Sequence, residues 1–560
     1  MSEETDKAKS FWARPESLVL YISMFVMGSC GIAYEYTFSK TAADLLGNSP
    51  RQWAIVIGLM MLFMGIGADL QKHFSDDALF DKFVFFEILL GLVGGTGTLI
   101  LIYVFGFSPN HYVLVQYLIV VSVGLLIGLE IPIITRLNEV YSDSLRFNLG
   151  AVLKMDYLGS FAGSLFWIFV LPVFFSMVQT GLVLGVLNLL VVVVTIFYFR
   201  RLIRRLRLLL SITFVGLALL GGLLYRCHDL TSHAEQYLFR NRVVVSKTTQ
   251  FQHIVVTKSP TGRIDCFINA NLQFSSFDEH IYHDWLVHPA MHLAGQRRRV
   301  LVLGGGDGLA VREVLKYPDV EQIVLCDIDP EMTRLATENP ILRRLNEGSL
   351  QHAKVSSINA GGITAGEAQD ILMSRQRRSG PKPPGVLAEV KIVNIDAMQF
   401  LVNLTGRFDV IIADFPDPNS RELAKLYSKE FYQLVGEHLS ADGIFIQQST
   451  SPSFAREAYL CIGRTLEAAG LHAVPVHDHV PSFGDWGWWV AGNISADQIR
   501  ERLGKLDQLT VPTRYLSPEV IRSGMVFGKY RLVTNETGIS QVTNDRVYQY
   551  YVAGWQETYQ

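Results

Sequence analysis

Apolar residues fall in long unbroken runs up to about residue 225 and in short alternating pieces after it. Seven runs, 18–39, 53–71, 83–106, 112–134, 157–178, 180–199 and 208–225, each have the length an α-helix needs to cross a hydrocarbon core of about 30 Å. Residues 83–134 hold two charged side chains, Glu87 and Glu130, and 157–199 hold none. A helix bundle in water needs polar outer faces, and these runs do not supply them. The pattern therefore predicts a polar tail at 1–17 and a transmembrane domain of about seven helices over 18–225.

Beyond Tyr225 the pattern is that of a soluble chain. RVVVSKTTQFQHIVVTKS and RIDCFINANLQFSS predict a small antiparallel β unit at about 240–276, within a segment bounded at 226–290. From Arg299 strands and helices alternate: VLVLGGGDGLAVREVLKY, VEQIVLCDID, VKIVNIDA, FDVIIADF and GIFIQQST. That order predicts a doubly wound, mostly parallel sheet at 291–500. The stretch 355–386 is rich in Gly, Ser and Pro and reads as an inserted loop. Its Arg375, Arg377, Arg378 and Lys382 suit a solvated surface, or contact with anionic headgroups. Residues 501–560 read as a packed C-terminal extension without evident chemistry.

Composition sharpens this picture. The chain is 49% hydrophobic and 18% charged, against about 25% charged for soluble domains. A net charge of −3 gives no basic field, which argues against a nucleic-acid partner. Cys30, Cys227, Cys266, Cys326 and Cys461 show no paired spacing, so neither a disulfide framework nor a structural zinc site follows. The polar N-terminus lacks the features of a cleaved secretory signal, and we expect it to be retained. Arg200, Arg201, Arg204, Arg205 and Arg207 mark a cytoplasmic loop. With seven full crossings the soluble part would then lie outside the cytoplasm.

The strongest chemical signal is GGGDG at Gly304–Gly308, directly after the apolar run Val300–Leu303. Glycines let the backbone turn sharply against a ligand at the sheet's carboxyl edge, although the spacing is not that of the dinucleotide fingerprint. Acidic residues then close each successive strand: Asp307, Asp327 with Asp329, Asp396, and Asp414 with Asp417. Asp327 stands where a carboxylate meets a ribose diol. So many carboxylates on one rim imply a cationic ligand, since crowded like charges raise one another's pKa. For Asp329, which precedes Pro330, a helix N-cap is the simpler role.

These residues resemble the aminopropyltransferases typified by spermidine synthase, in their membrane-fused bacterial form. The matching motifs are FQHI (Phe251–Ile254), Leu272-Gln273, Asp278-Glu279, Tyr282-His283, the run Val300–Tyr317, CDID (Cys326–Asp329) and NIDA (Asn394–Ala397). DVIIADFPDP (Asp409–Pro418), LYSKEFY (Leu426–Tyr432) and WGWW (Trp486–Trp489) continue the series. Within the apolar half, Tyr34-Glu35-Tyr36 and GLEIP (Gly128–Pro132) look like motifs of the fused forms.

The resemblance implies a multi-pass helical membrane domain, then a small β unit and a methyltransferase-like Rossmann fold. It implies decarboxylated S-adenosylmethionine as co-substrate, no permanently bound cofactor and no metal, and a diamine acceptor, putrescine first. Gln252, Asp327, Asp396, Ala397, Gly304 and Gly306 would hold the donor, Asp327 on the ribose and Asp396 on the adenine edge. Tyr282, His283, Asp307 and Asp417 would flank the aminopropyl chain and the amine, with Asp414 as the catalytic base.

Elementary chemistry agrees with that assignment. An alkylamine is protonated at pH 7 and must lose a proton before it attacks carbon, which a carboxylate such as Asp414 can accept. Asp307 would repel the carboxylate of ordinary S-adenosylmethionine, which disfavours a methyltransferase. Arg421 stands where soluble members usually have a proline, so the choice of acceptor stays open. A polyamine transporter or sensor with a non-catalytic ligand domain is the alternative from another class.

Glu35, Asp69, Glu87 and Glu130 lie in or beside the apolar runs, where unpaired charge is costly. They serve a cationic solute, or they are protonated or pair with Lys40, Lys72 or Arg136 and fix helix packing. His477-Asp478-His479 lacks a third ligand for a metal. The expected partners are the diamine, the nucleoside sulfonium and a lipid bilayer, with self-association into a homo-oligomer left open. The expected location is the inner membrane; seven crossings conflict with a donor made in the cytosol, so either one apolar run is re-entrant or the donor reaches the far side, and the cytoplasmic side is the expectation for the catalytic domain.

Overall fold

The computed structural model describes residues 15–46, 49–142, 144–357, 388–534 and 537–558. The chain divides into two compact units, Met1–Pro260 and Thr261–Gln560.

The first unit is helical. Its elements are α1 (Pro15–Leu46), α2 (Ser49–Leu70), α3 (Leu79–Phe107), α4 (Pro109–Glu139), α5 (Leu145–Phe169), α6 (Met177–Phe199), α7 (Leu206–Tyr225) and α8 (Cys227–Leu238). A hairpin of β1 (Arg242–Thr248) and β2 (His253–Lys258) closes it. Six of these helices, not seven, are long and apolar enough to cross a membrane among the described residues.

The run at 157–178 corrects the sequence reading. It is not one helix: α5 starts earlier, at Leu145, carries Arg146, Lys154 and Asp156, and stops at Phe169. Pro172 has no N–H for the helix ladder and sits in a separate turn, Leu171–Phe174. Ser176 and Gln179 then form a capping box that starts α6 afresh. Residues 227–238, placed in the β unit from sequence, form helix α8 instead.

Small residues set how closely the helices approach. An added Cβ on Gly159 would lie 2.1 Å from the Phe25 carbonyl oxygen, and one on Gly128 would lie 2.1 Å from that of Met64. Backbones in direct contact leave no room for a larger side chain at either point.

The second unit opens with a hairpin of β3 (Ile264–Ile268) and β4 (Asn271–Ser275), followed by α9 (Glu279–Leu293). Strands β5 (Arg299–Gly304), β6 (Gln322–Asp327), β7 (Lys354–Ser357), β8 (Glu389–Asn394), β9 (Phe408–Asp414), β10 (Leu439–Gln448), β11 (His472–Val480) and β12 (Gly484–Gly492) form one sheet in the order β11-β12-β10-β9-β5-β6-β8-β7. β7 through β10 run parallel with β5 and β6, while β12 and β11 are antiparallel, so the sheet is mixed at one edge. Residues 355–357 of the expected loop thus extend a strand, and 358–387 lie outside the described residues.

Strand alternation builds two cores. Val300, Val302, Ile323, Leu325, Val410 and Ile412 face one side of the sheet; Leu301, Leu303, Val324, Ile411 and Ala413 face the other. Both faces are buried, as a parallel sheet covered by helices requires. The order reverses beside β5: β6 lies on one side of it and β9 on the other, which opens a crevice at their carboxyl ends.

Candidate active site

Gly304 pairs in register with Asp414, so the glycine turn after β5 and the acid ending β9 meet at that crevice. Gly304 has φ +78°, and a Cβ there would stand 2.2 Å from the Asp414 carbonyl oxygen. Gly305 donates its N–H to the same carbonyl at 3.1 Å. A Cβ on Gly306 would lie 2.6 Å from Asp327 Oδ2, which instead accepts the Gly306 N–H at 2.9 Å. The glycines are therefore required by close approach.

Asp414, Asp307 and His283 converge. Ligand atoms of the three lie within 4.8 Å of one another. Tyr282 donates to Asp414 Oδ1 at 2.7 Å, and His283 Nε2 stands 3.9 Å from Oδ2. Burial raises Asp414 above the ordinary carboxylate range, opposed by the His283 charge and the Tyr282 hydrogen bond. Burial, aided by the Asp414 charge, lifts Asp307 to about 6, while the Leu309 N–H holds its Oδ1 at 2.8 Å.

His283 is positioned by a layer behind it. Its Nδ1 faces Glu279 Oε2 at 3.0 Å and the Glu279 carbonyl at 2.8 Å. Arg312 grips both oxygens of Glu279, at 3.1 and 2.9 Å. Burial alone would lower His283, but Glu279, Asp414 and Asp307 outweigh it and carry the imidazole up to about 9. Burial likewise opposes ionisation of Glu279, yet His283 and Arg312 bring it down to about 2. An imidazolium therefore stands between carboxylates at neutral pH.

Asp417 lies beyond the turn after β9. Gln448 Nε2 reaches its Oδ1 at 3.3 Å and Thr450 Oγ1 its Oδ2 at 3.4 Å. Burial lifts it to about 6 against hydrogen bonds from Tyr551, Gln448 and Thr450. Tyr551 belongs to the helix Arg546–Thr558, so the C-terminal extension does supply a group that touches the site, contrary to the sequence reading. Gln448 stands at the carboxyl end of the next parallel strand, where the topology rule would have flagged it. Arg312 and Tyr551 carried no such signal.

On the other side of β5, Asp327 is raised to about 7 by burial, with hydrogen bonds from the Asp329 and Gly306 N–H groups acting in the opposite direction. Asp329 caps the helix Pro330–Glu338 through the Glu331 N–H at 3.0 Å, the role expected of it. Asp396 caps the helix Ala397–Asn403, with Oδ1 accepting from Met398 and Gln399 at 3.1 Å and Oδ2 bound to Lys425 Nζ at 2.6 Å. Ala397 is the buried first residue of that helix. Gln252 lies in the β1–β2 turn of the first unit, its N–H on Thr249 Oγ1 at 3.0 Å.

The His477-Asp478-His479 run is structural. His477 faces Asp485 Oδ1 at 2.7 Å, and Asp478 accepts from Trp285 at 2.9 Å and Tyr515 at 3.0 Å. Trp488 packs 5.8 Å from the Tyr282 ring and forms a wall behind it. Three carboxyl groups, Glu279, Asp307 and Asp414, around one imidazolium beside a glycine turn make a site suited to a cationic ligand and to removal of a proton from it.

Residues 279–367 and 387–498 match the family model described as the spermine/spermidine synthase domain. The chain is 34% identical over 548 residues to the polyamine aminopropyltransferase of Oceanobacillus iheyensis, covering 97% of this chain and 98% of that protein. It is 36% identical over 543 residues to polyamine aminopropyltransferase 2 of Ralstonia nicotianae, covering 96% and 98%. A solved structure of spermidine synthase in complex with the transition state analogue AdoDATO is 21% identical and covers 52% of this chain and 88% of that chain, with a TM-score of 0.40.

Proposed function

Since the chain belongs to the spermine/spermidine synthase family, we propose that it transfers the aminopropyl group of decarboxylated S-adenosylmethionine to a diamine, putrescine first. The observation that carries this reading is the convergence of Asp414, Asp307 and His283 beside the glycine turn.

In the reaction, the free amine nitrogen attacks the aminopropyl carbon bonded to sulfur. The C–S bond breaks with its electron pair moving to sulfur, which leaves neutral methylthioadenosine. Asp414 takes the proton from the attacking nitrogen, and Tyr282, bonded to Asp414 at 2.7 Å, fixes which oxygen remains free. Asp417 holds the distal ammonium, and Asp307 holds the ammonium of the aminopropyl chain. Alignment of nitrogen, carbon and sulfur supplies much of the remaining acceleration, because the sulfonium already provides a good leaving group.

The donor's nucleoside would lie over the glycine turn. Asp327 accepts from the ribose hydroxyls, and the Gly304 and Gly306 backbone keeps the turn low enough for approach. Asp396, already bonded to Lys425 and its own helix, keeps lone pairs for the adenine amino group, beside Ala397.

The six long apolar helices support a membrane location, with the catalytic unit facing the cytoplasm where the donor arises. A reporter fused after Gln560 reads that side directly.

The direct test mixes the purified full-length protein with decarboxylated S-adenosylmethionine and a panel of diamines and follows methylthioadenosine. Release by the parent and not by Asp414→Asn is expected, and it ranks the acceptors. Ligand binding without methylthioadenosine from any amine overturns the transferase in favour of a transporter or sensor; methyl transfer from ordinary S-adenosylmethionine makes it a methyltransferase.

A further inference from the structure

The helical unit carries acidic groups that the transfer reaction does not use. Glu87 on α3 and Glu130 on α4 are each 2% exposed. Glu87 Oε2 and both carboxyl oxygens of Glu130 have no hydrogen-bond partner. The Tyr34 hydroxyl on α1 and both amide atoms of Asn188 on α6 are also buried and unpartnered. Tyr34 lies within electrostatic reach of both carboxyl groups. The charges that act on Glu130 come from Glu87 and Asp156, which are themselves acidic.

The cations that the sequence offered as partners are engaged elsewhere. Lys40 pairs with Asp44, and Lys72 with Asp69 at 2.7 Å. Arg136 pairs with Asp76 and donates to Gln71 Oε1 at 2.9 Å. Two buried carboxyl groups without hydrogen-bond partners stay ionised only beside a cation and are otherwise protonated, so an ionised pair here takes its cation from outside the chain.

Further unpartnered polar atoms extend from the pair in a row. The Tyr34 ring lies against Gly94, where a Cβ would meet it at 2.7 Å. Thr98 follows on α3, where a Cβ on Gly181 would stand 2.6 Å from its Oγ1; Thr180 precedes Gly181 on α6, and Gln116 stands 14 residues before Glu130 on α4. All three side chains are fully buried and unpartnered. From Glu87 to Thr98 the row spans about 16 Å at 1.5 Å per residue.

We propose that this bundle holds a second amine site, which takes a linear alkyl diammonium or polyammonium ion. One ammonium sits among Glu87, Glu130 and the Tyr34 hydroxyl, and the methylene chain runs along the row past Asn188 toward Thr98. An ammonium offers three N–H donors to those three acceptors. A calcium-like ion takes six to eight oxygens at one point, which two carboxyls and a phenol do not supply.

The proposal is independent of the transferase reading, and its test counts sites. Radiolabelled spermidine is titrated by equilibrium dialysis into detergent-solubilised full-length protein and into Glu87→Gln/Glu130→Gln. The variant is expected to lose one bound equivalent, or to bind it at least about tenfold more weakly, while methylthioadenosine release stays as in the parent. The difference of one equivalent holds whether or not the catalytic unit turns over. If the double variant does not fold, Tyr34→Phe and Asn188→Leu are each expected to weaken the same equivalent. Equal stoichiometry and affinity in parent and variants overturn the proposal. So does displacement of the label by sodium or calcium ions but not by unlabelled spermidine. Infrared spectra in which both carboxyls are protonated before and after spermidine addition overturn it as well.

Discussion

Tyr282 donates its phenolic hydrogen to Asp414 Oδ1 at 2.7 Å, and the two are 132 positions apart in the chain. The bond favours the charged carboxylate, against the burial that raises its pKa. In Tyr282→Phe the pKa of Asp414 should rise, because the stabiliser of its ionised form is gone. The acid limb of kcat/KM is then expected to move to higher pH, with kcat at neutral pH down roughly tenfold or more, as for loss of a hydrogen bond to a charged group. A pH profile coincident with the parent's would remove Tyr282 from the machinery.

Asp414→Asn keeps the shape of the site but cannot accept the amine proton. Loss of a general base costs roughly 10²–10⁴-fold in rate. The expected outcome is that loss in kcat with donor binding retained, read by calorimetry with methylthioadenosine. A variant that still turns over within tenfold of the parent assigns the proton to another group.

His283 and Glu279 tie stability to pH in opposite directions. His283 is raised from 6.5 to about 9 on folding, so its contribution is complete below pH 6.5 and disappears as pH climbs through about 9. Glu279 is lowered from 4.5 to about 2, so its contribution is present above pH 4.5 and disappears as pH falls through about 2. The Tm gap between the parent and His283→Gln should therefore be widest near pH 6 and close toward pH 9. A gap that widens from pH 7 to 9 contradicts the imidazolium. Arg312→Ala, which leaves buried Glu279 without its cation, should cost about 3–5 kcal/mol.

The parts of this site legible in the sequence are those fixed by a single strand end. Gly304, Asp307, Asp327 and Asp414 follow from apolar strands that stop at the same sheet edge, so register alone brings them together. Arg312 was not legible: it reaches Glu279 across 33 residues from another helix, and only the packing of α9 makes them neighbours. Tyr551 stayed hidden for the same reason, on a C-terminal helix whose sequence shows no chemistry. In the helical unit, hydropathy located the apolar runs but did not weigh Pro172 against the run that contains it. The end of α5 at Phe169 is the result.

The glycine turn separates fold from binding. Gly304→Ala places Cβ against the Asp414 backbone at φ +78°, and backbone has no rotamer by which to yield. It should destabilise the second unit by more than about 1 kcal/mol. Gly306→Ala meets the Asp327 side chain first, at 2.6 Å, and should raise the donor KM at least about tenfold with a smaller change in kcat. Gly504→Ala, with nothing within 4 Å, is the matched control and should behave as the parent. Equal behaviour of all three variants would refute this reading of the turn.

Tyr551 reports on the amine end of the site. Its hydrogen bond is the largest of the three that oppose the rise of Asp417 to about 6. Without the hydroxyl, in Tyr551→Phe, Asp417 titrates higher, and a larger fraction is neutral at pH 7. A neutral acid holds a diamine's distal ammonium poorly. KM for the diamine should therefore rise several-fold at pH 7 and return toward the parent's value as the pH is raised to about 8.5, while the donor KM stays fixed. Gln448→Leu should move the diamine KM in the same sense, because its amide binds the same carboxylate at 3.3 Å. If the diamine KM of Tyr551→Phe rises equally at all pH values, the hydroxyl shapes the pocket and does not set the charge of Asp417.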